Sequence, residues 1–82
     1  MNHNTYNEKR FLLPESINSC ASYHAKIFLS GEYMFRIHDC NTGIRLRGDL
    51  NSEESIQEAK NKISNLIDGL RKFEQHLTEN YK

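Results

Sequence analysis

The stretch EYMFRIHDCNTGIRLRGDLNSEES, residues 32–55, decides the fold. Tyr33, Phe35 and Ile37 alternate with Met34, Arg36 and His38. Alternation with period two marks a strand with one covered face. CNTG interrupts it, and Gly43 suits a turn position with positive φ. IRLR then resumes the alternation, with Ile44 and Leu46 against Arg45 and Arg47. Beyond Asp49 the period changes. Asn51 or Ser52 stands where a helix N-cap belongs, and Glu53 and Glu54 fall in the first turn, where the helix dipole favours them.

Working upstream, YHAKIFL (23–29) alternates as well. Tyr23, Ala25, Ile27 and Leu29 lie on one side, and His24, Lys26 and Phe28 on the other. Ser30-Gly31 signals a turn, so residues 23–47 read as a three-stranded antiparallel meander. Downstream, Ile56, Ala59, Ile63, Leu66, Leu70, Phe73 and Leu77 recur in steps of three and four. Such steps place them on one stripe of a helix. The expected fold is therefore α+β: a three-stranded antiparallel sheet packed on one long C-terminal helix. The β-β-β-α domain occupies 21–82, and residues 1–20 form a mobile or docking N-terminal arm. Within the arm, RFLLPES reads as an edge strand or a docking segment, because Pro14 disfavours a central strand.

An unbroken helix over 52–80 would span about 43 Å, against about 20 Å for a six-residue strand. Either the helix breaks near Asp68-Gly69 and folds back, or its second half packs on something else. The three-four spacing is also that of a coiled-coil seam. A homodimer through Leu70, Phe73 and Leu77 is the simplest occupant.

The chain has 82 residues, 37% hydrophobic and 27% charged, which suits one folded domain rather than a disordered chain. Formal net charge is zero, so bulk charge says nothing about partners. Its distribution says more. Lys26, Arg36, Arg45 and Arg47 outnumber Glu32 and Asp39 in the middle, whereas the C-terminal third leans acidic. MNHNTYNEKR has no apolar leader core, and no run approaches membrane-span length. A cytoplasmic location is expected, with Cys20 and Cys40 as free thiols.

Register follows from keeping apolar residues on one face. Pairing Leu29 with Tyr33, and Asp39 with Ile44, creates two rows on the other face: Lys26–Arg36–Arg47 and His24–His38–Arg45. Phe28 and Met34 lie beside them. Like charges directly opposite one another destabilise a sheet, and this pairing supplies no carboxylate to offset them. An anion would. The face reads as a phosphate-tracking surface with two apolar side chains for bases or sugars. An acidic protein partner and a plain solvated surface are the alternatives.

CASYH and HDC suggest a Cys2His2 metal site, but strand geometry opposes it. Cys20 and His24 would lie about 13 Å apart on a strand, too far to share a metal at about 2 Å with His38 and Cys40. Neither a metal nor a cofactor is expected. No nucleophile stands beside a base at readable spacing, and no Gly-rich phosphate loop occurs, so an enzyme is not expected.

The segment FRIHDCNTGIRLRGDLNSEESIQEA resembles three-strand-plus-helix DNA-binding domains, such as the arm-binding domain of tyrosine-type integrases and the plant ethylene-response-factor domain. The matching positions are Ile37, Asp39, Gly43, Arg45, Leu46, Gly48, Leu50, Ser52, Glu54 and Ala59. The resemblance implies that the sheet enters the major groove, with Lys26, Arg36, Arg45 and Arg47 on its reading face. It also implies an accessory DNA-binding factor of a bacterial mobile element or phage. The β-β-β-α order is similar, too, to HicB-type antitoxins, which bind a small RNA-cleaving toxin. Size and composition also suit a phage-encoded inhibitor of a host defence enzyme.

Overall fold

The computed structural model describes residues 5–15, 19–39 and 41–81. The chain is α+β. Four strands, β1 (Tyr6–Phe11), β2 (Ser22–Ile27), β3 (Glu32–Asp39) and β4 (Thr42–Asp49), precede one helix, α1 (Glu53–Asn80). The sheet is antiparallel, with the strands in sequence order β1-β2-β3-β4. The expected sheet of three strands is thus corrected to four. Tyr6–Phe11 adds the edge strand, pairing Tyr6 with Ile27 and Phe11 with Ser22.

The two faces are those that alternation dictates, but both registers differ from the expected ones by two residues. Ile27 pairs with Tyr33, not Phe35, and Ile37 pairs with Ile44, not Leu46. The first shift has a local cause. Gly31 adopts φ 90°, a conformation open to glycine. Its N–H donates to the Phe28 carbonyl at 2.9 Å, and the Phe28 N–H donates to the Glu32 carbonyl at 2.8 Å. The turn therefore comprises Leu29, Ser30 and Gly31, with glycine last as three-residue hairpin loops prefer. Leu29, expected in a strand, becomes a turn residue and is 78% exposed.

Gly43 is not a positive-φ turn residue. It lies within β4 opposite His38, and a Cβ there would come within 2.5 Å of the His38 ring. Gly48 plays the same part on the apolar face, where the Tyr33 ring lies against it and a Cβ would meet Cε1 at 2.7 Å.

Ser52 is the N-cap. Its hydroxyl accepts from the Ser55 N–H at 3.0 Å, while the Ser55 hydroxyl accepts from the Ser52 N–H at 3.0 Å. This is a capping box closed by serine instead of glutamate. From there α1 runs unbroken through Gly69 for 28 residues, about 42 Å at 1.5 Å per residue.

Only the first half of α1 is covered. Ala59 is buried, Ile56, Ile63 and Leu66 are half-buried, and every described residue from Ile67 onward is exposed. The sheet element that α1 contacts is β4, whose single half-buried residue is Leu46 on the apolar face. The helix therefore rests on that face along the β4 edge, and the opposite face stays open. Among the described residues no side chain is fully buried; Ala21 and Ala59 are the only buried apolar residues. Tyr23 stacks on Phe35 with ring centroids 5.8 Å apart, across otherwise half-buried neighbours.

Candidate nucleic-acid interface

The open face is built by every second residue of each strand. The observed pairing produces three cross-strand rows: Asn7, Lys26, Met34 and Arg47; then Lys9, His24, Arg36 and Arg45; then Phe11, Ser22, His38 and Gly43. Both rows expected from the sequence are replaced. Met34 now separates Lys26 from Arg47, and His38 faces Gly43 instead of Arg45. The middle row, however, carries a cationic or ionisable basic side chain on all four strands, about 4.8 Å from one strand to the next.

Lys9 is a member that sequence reasoning missed. YNEKRF alternates Tyr, Glu and Arg with Asn, Lys and Phe. Neither set is apolar, so hydrophobic periodicity gives no strand signal there. The available hint was the pair of aromatic, strand-favouring residues at its ends, Tyr6 and Phe11.

Arg36 and Arg45 are direct cross-strand partners. Neither has a carboxylate within ion-pair distance among the described residues, where the ion pairs are Arg10–Glu8 at 3.9 Å and Lys72–Asp68 at 3.2 Å. The expectation of a face without carboxylates is corrected. Alternation brings Glu32 and Asp49 opposite each other at the end beyond Met34 and Arg47. Asp49 is turned to local use: it accepts from the Asn51 N–H at 3.0 Å, and that bond, then the Ser55 hydroxyl, holds its carboxyl below the usual range.

Around the middle row the side chains are partly ordered. The His24 Nε2 is hydrogen-bonded with Asn7 Oδ1 at 2.6 Å. The Lys26 ammonium sits 4.8 Å from the Phe28 ring centroid, a cation–π distance, so Phe28 serves Lys26 before it serves any base. Arg36, His38, Asn41, Gly43, Ile44 and Arg45 line an open depression of about 390 Å³. Two guanidiniums and an imidazole converge there on a concavity large enough for a phosphate or a carboxylate group.

Of the expected interface residues, the structure gathers His24, Arg36, His38 and Arg45 at or beside the depression. Lys26, Phe28, Met34 and Arg47 lie on the same face, toward the Gly31 turn. Leu70, Phe73 and Leu77 are exposed on the free half of α1, 52%, 61% and 43% respectively. Among the described residues no group of three or more His, Cys, Asp or Glu side chains is placed to hold a metal. Cys40, part of the tempting HDC, lies outside the described residues, and Cys20 is exposed. No described helix is long and apolar enough to cross a membrane. No family model, curated protein or solved structure matches the chain.

Proposed function

We propose that this chain is a small nucleic-acid-binding protein that contacts phosphates through the open face of its sheet. The observation that carries the proposal is the row Lys9, His24, Arg36 and Arg45, which has no carboxylate in ion-pair distance among the described residues and is flanked by Lys26 and Arg47. Successive phosphates along a strand are a few ångströms apart, and a row of long cationic side chains can neutralise several at once. The resemblance of residues 35–59 to sheet-reading DNA-binding domains supports the same face and an accessory role in a mobile element or phage. Binding of labelled duplex DNA, single-stranded DNA and RNA, measured by fluorescence anisotropy across a salt series, tests it. Affinity should fall by at least tenfold between about 50 and 200 mM salt, with a log–log slope near −0.9 per phosphate neutralised. Arg36→Ala combined with Arg45→Ala should flatten that slope by about 2 while leaving the circular dichroism spectrum unchanged. Absence of binding to all three polymers, or binding indifferent to salt, overturns the proposal.

The second reading is a protein-interaction module, of antitoxin or inhibitor kind, that takes an acidic protein surface on the same face. The concave seat between Arg36 and Arg45 favours it, since bidentate carboxylate recognition suits paired guanidiniums. A nuclease-resistant complex with a single protein from the native host, lost in the double Arg→Ala variant, distinguishes it from the first.

A further inference from the structure

We infer that the chain is completed by a second copy of itself, in a two-fold dimer where the free half of each helix lies across the apolar sheet face of the other. The accessible surface is 6989 Å² for a chain of 9.6 kDa. A compact monomer of that mass exposes about 5,100 Å². The excess, roughly 1,900 Å² per chain, is more than the ~800 Å² per partner of a standard interface and falls within the range of obligate dimers. The radius of gyration agrees: 15.2 Å, against about 12 Å for a compact domain of this length.

Geometry locates the occupant. Four strands at about 4.8 Å make a sheet roughly 19 Å wide, whereas a helix is about 10 Å across. One helix covers half such a face, and α1 takes the β4 side. The strip on β1 and β2, carrying Tyr6, Tyr23, Ala25 and Ile27, needs a second helix. The chain holds such a surface, since Ile67, Leu70, Phe73 and Leu77 beyond the covered half of α1 are all more than 40% exposed. A two-fold satisfies both at once, because each copy offers a strip that is half-buried on β2 and exposed at Tyr6, and a bare helix end. The strip also carries two charges, Glu8 and Arg10; they pair with each other at 3.9 Å, and the Glu8 carboxylate accepts from the hydroxyls of Tyr6 and Tyr23, so the acid would enter the contact already partnered. Both basic faces remain outward, and the inference stands whether or not nucleic acid binds.

Sedimentation equilibrium of the full chain without nucleic acid should give twice the chain mass at micromolar concentration. Isotope-filtered NMR on a mixture of labelled and unlabelled chains should show contacts between Phe73 or Leu70 of one copy and Ala25 or Ile27 of the other. Phe73→Glu should weaken self-association by at least 100-fold. A wild-type monomer overturns the inference, as does a dimer without those intermolecular contacts or one indifferent to Phe73→Glu. If Phe73→Glu proves unfolded as a monomer, the wild-type NMR contacts decide alone.

Discussion

Glu8 is an acid on the face that the fold keeps otherwise mostly apolar. The Tyr23 hydroxyl donates to it at 2.6 Å, and the Tyr6 hydroxyl donates to its other oxygen. These bonds, Tyr23 first and then Tyr6, hold its carboxyl below the ordinary value of 4.5, and the same bonds push both phenols up. A carboxylate whose folded pKa is depressed stabilises the fold above its unfolded pKa, and that contribution is lost as pH falls through the lower folded value. Glu8 bridges β1 to β2, so the loss should appear there. Amide exchange at Tyr6–Phe11 should accelerate as pH drops below the ordinary carboxylate value of 4.5 toward the lower folded one, after correction for intrinsic rates, ahead of the helix. Glu8→Gln should weaken β1 protection at neutral pH and abolish the acid step. Persistence of the step in that variant assigns it to another carboxylate. The same scale explains the tension in the middle row. Like charges opposite one another cost a few tenths of a kcal/mol or more, so Arg36 facing Arg45 is a stability loss that an anion would relieve.

At the scale of elements, what could be read in advance divides along physical lines. The three-four stripe and the cap region place α1 almost to the residue, because helix periodicity and capping are local. Alternation assigns the faces of β2, β3 and β4 correctly, since a two-residue register shift leaves every side chain on its face. That insensitivity is why alternation does not fix the rows: parity is preserved while each cross-strand partner changes. The positive-φ turn at Gly31 decided the β2–β3 register, and apolar pairing alone does not report it. Strand β1 is hidden for a different reason, as both of its faces carry charge. Of the two alternatives for the long stripe, a break near Asp68-Gly69 or an unbroken helix, the structure has the second, and α1 passes through Gly69. A helical glycine costs only about 1 kcal/mol relative to alanine, too little to interrupt 28 residues with a closed capping box. A Cβ on Gly69 would meet nothing within 4 Å. Gly69→Ala should therefore raise unfolding stability by about 1 kcal/mol, and Ser52→Ala should lower it by a similar amount. Urea denaturation measures both, and a destabilising Gly69→Ala would mean that another backbone approaches the helix there.

At the scale of the molecule, the open question is how a chain with two buried apolar residues among those described holds itself together. An 82-residue domain is marginal even when its core is well filled. In the inferred dimer, the half-buried apolar face and the bare helix end would add burial that helps offset the conformational entropy of folding. Stability should then depend on concentration, because unfolding also separates the copies. With an unfolding entropy of about 2.1 cal/mol/K per residue over both chains, each tenfold rise in protein concentration should raise the Tm by about 4 °C. Arg36→Ala with Arg45→Ala should leave that slope untouched, since the basic face is not part of the contact. Phe73→Glu should remove it. A Tm independent of concentration would instead mean that the single chain is stable as it stands, with its apolar helix end bare.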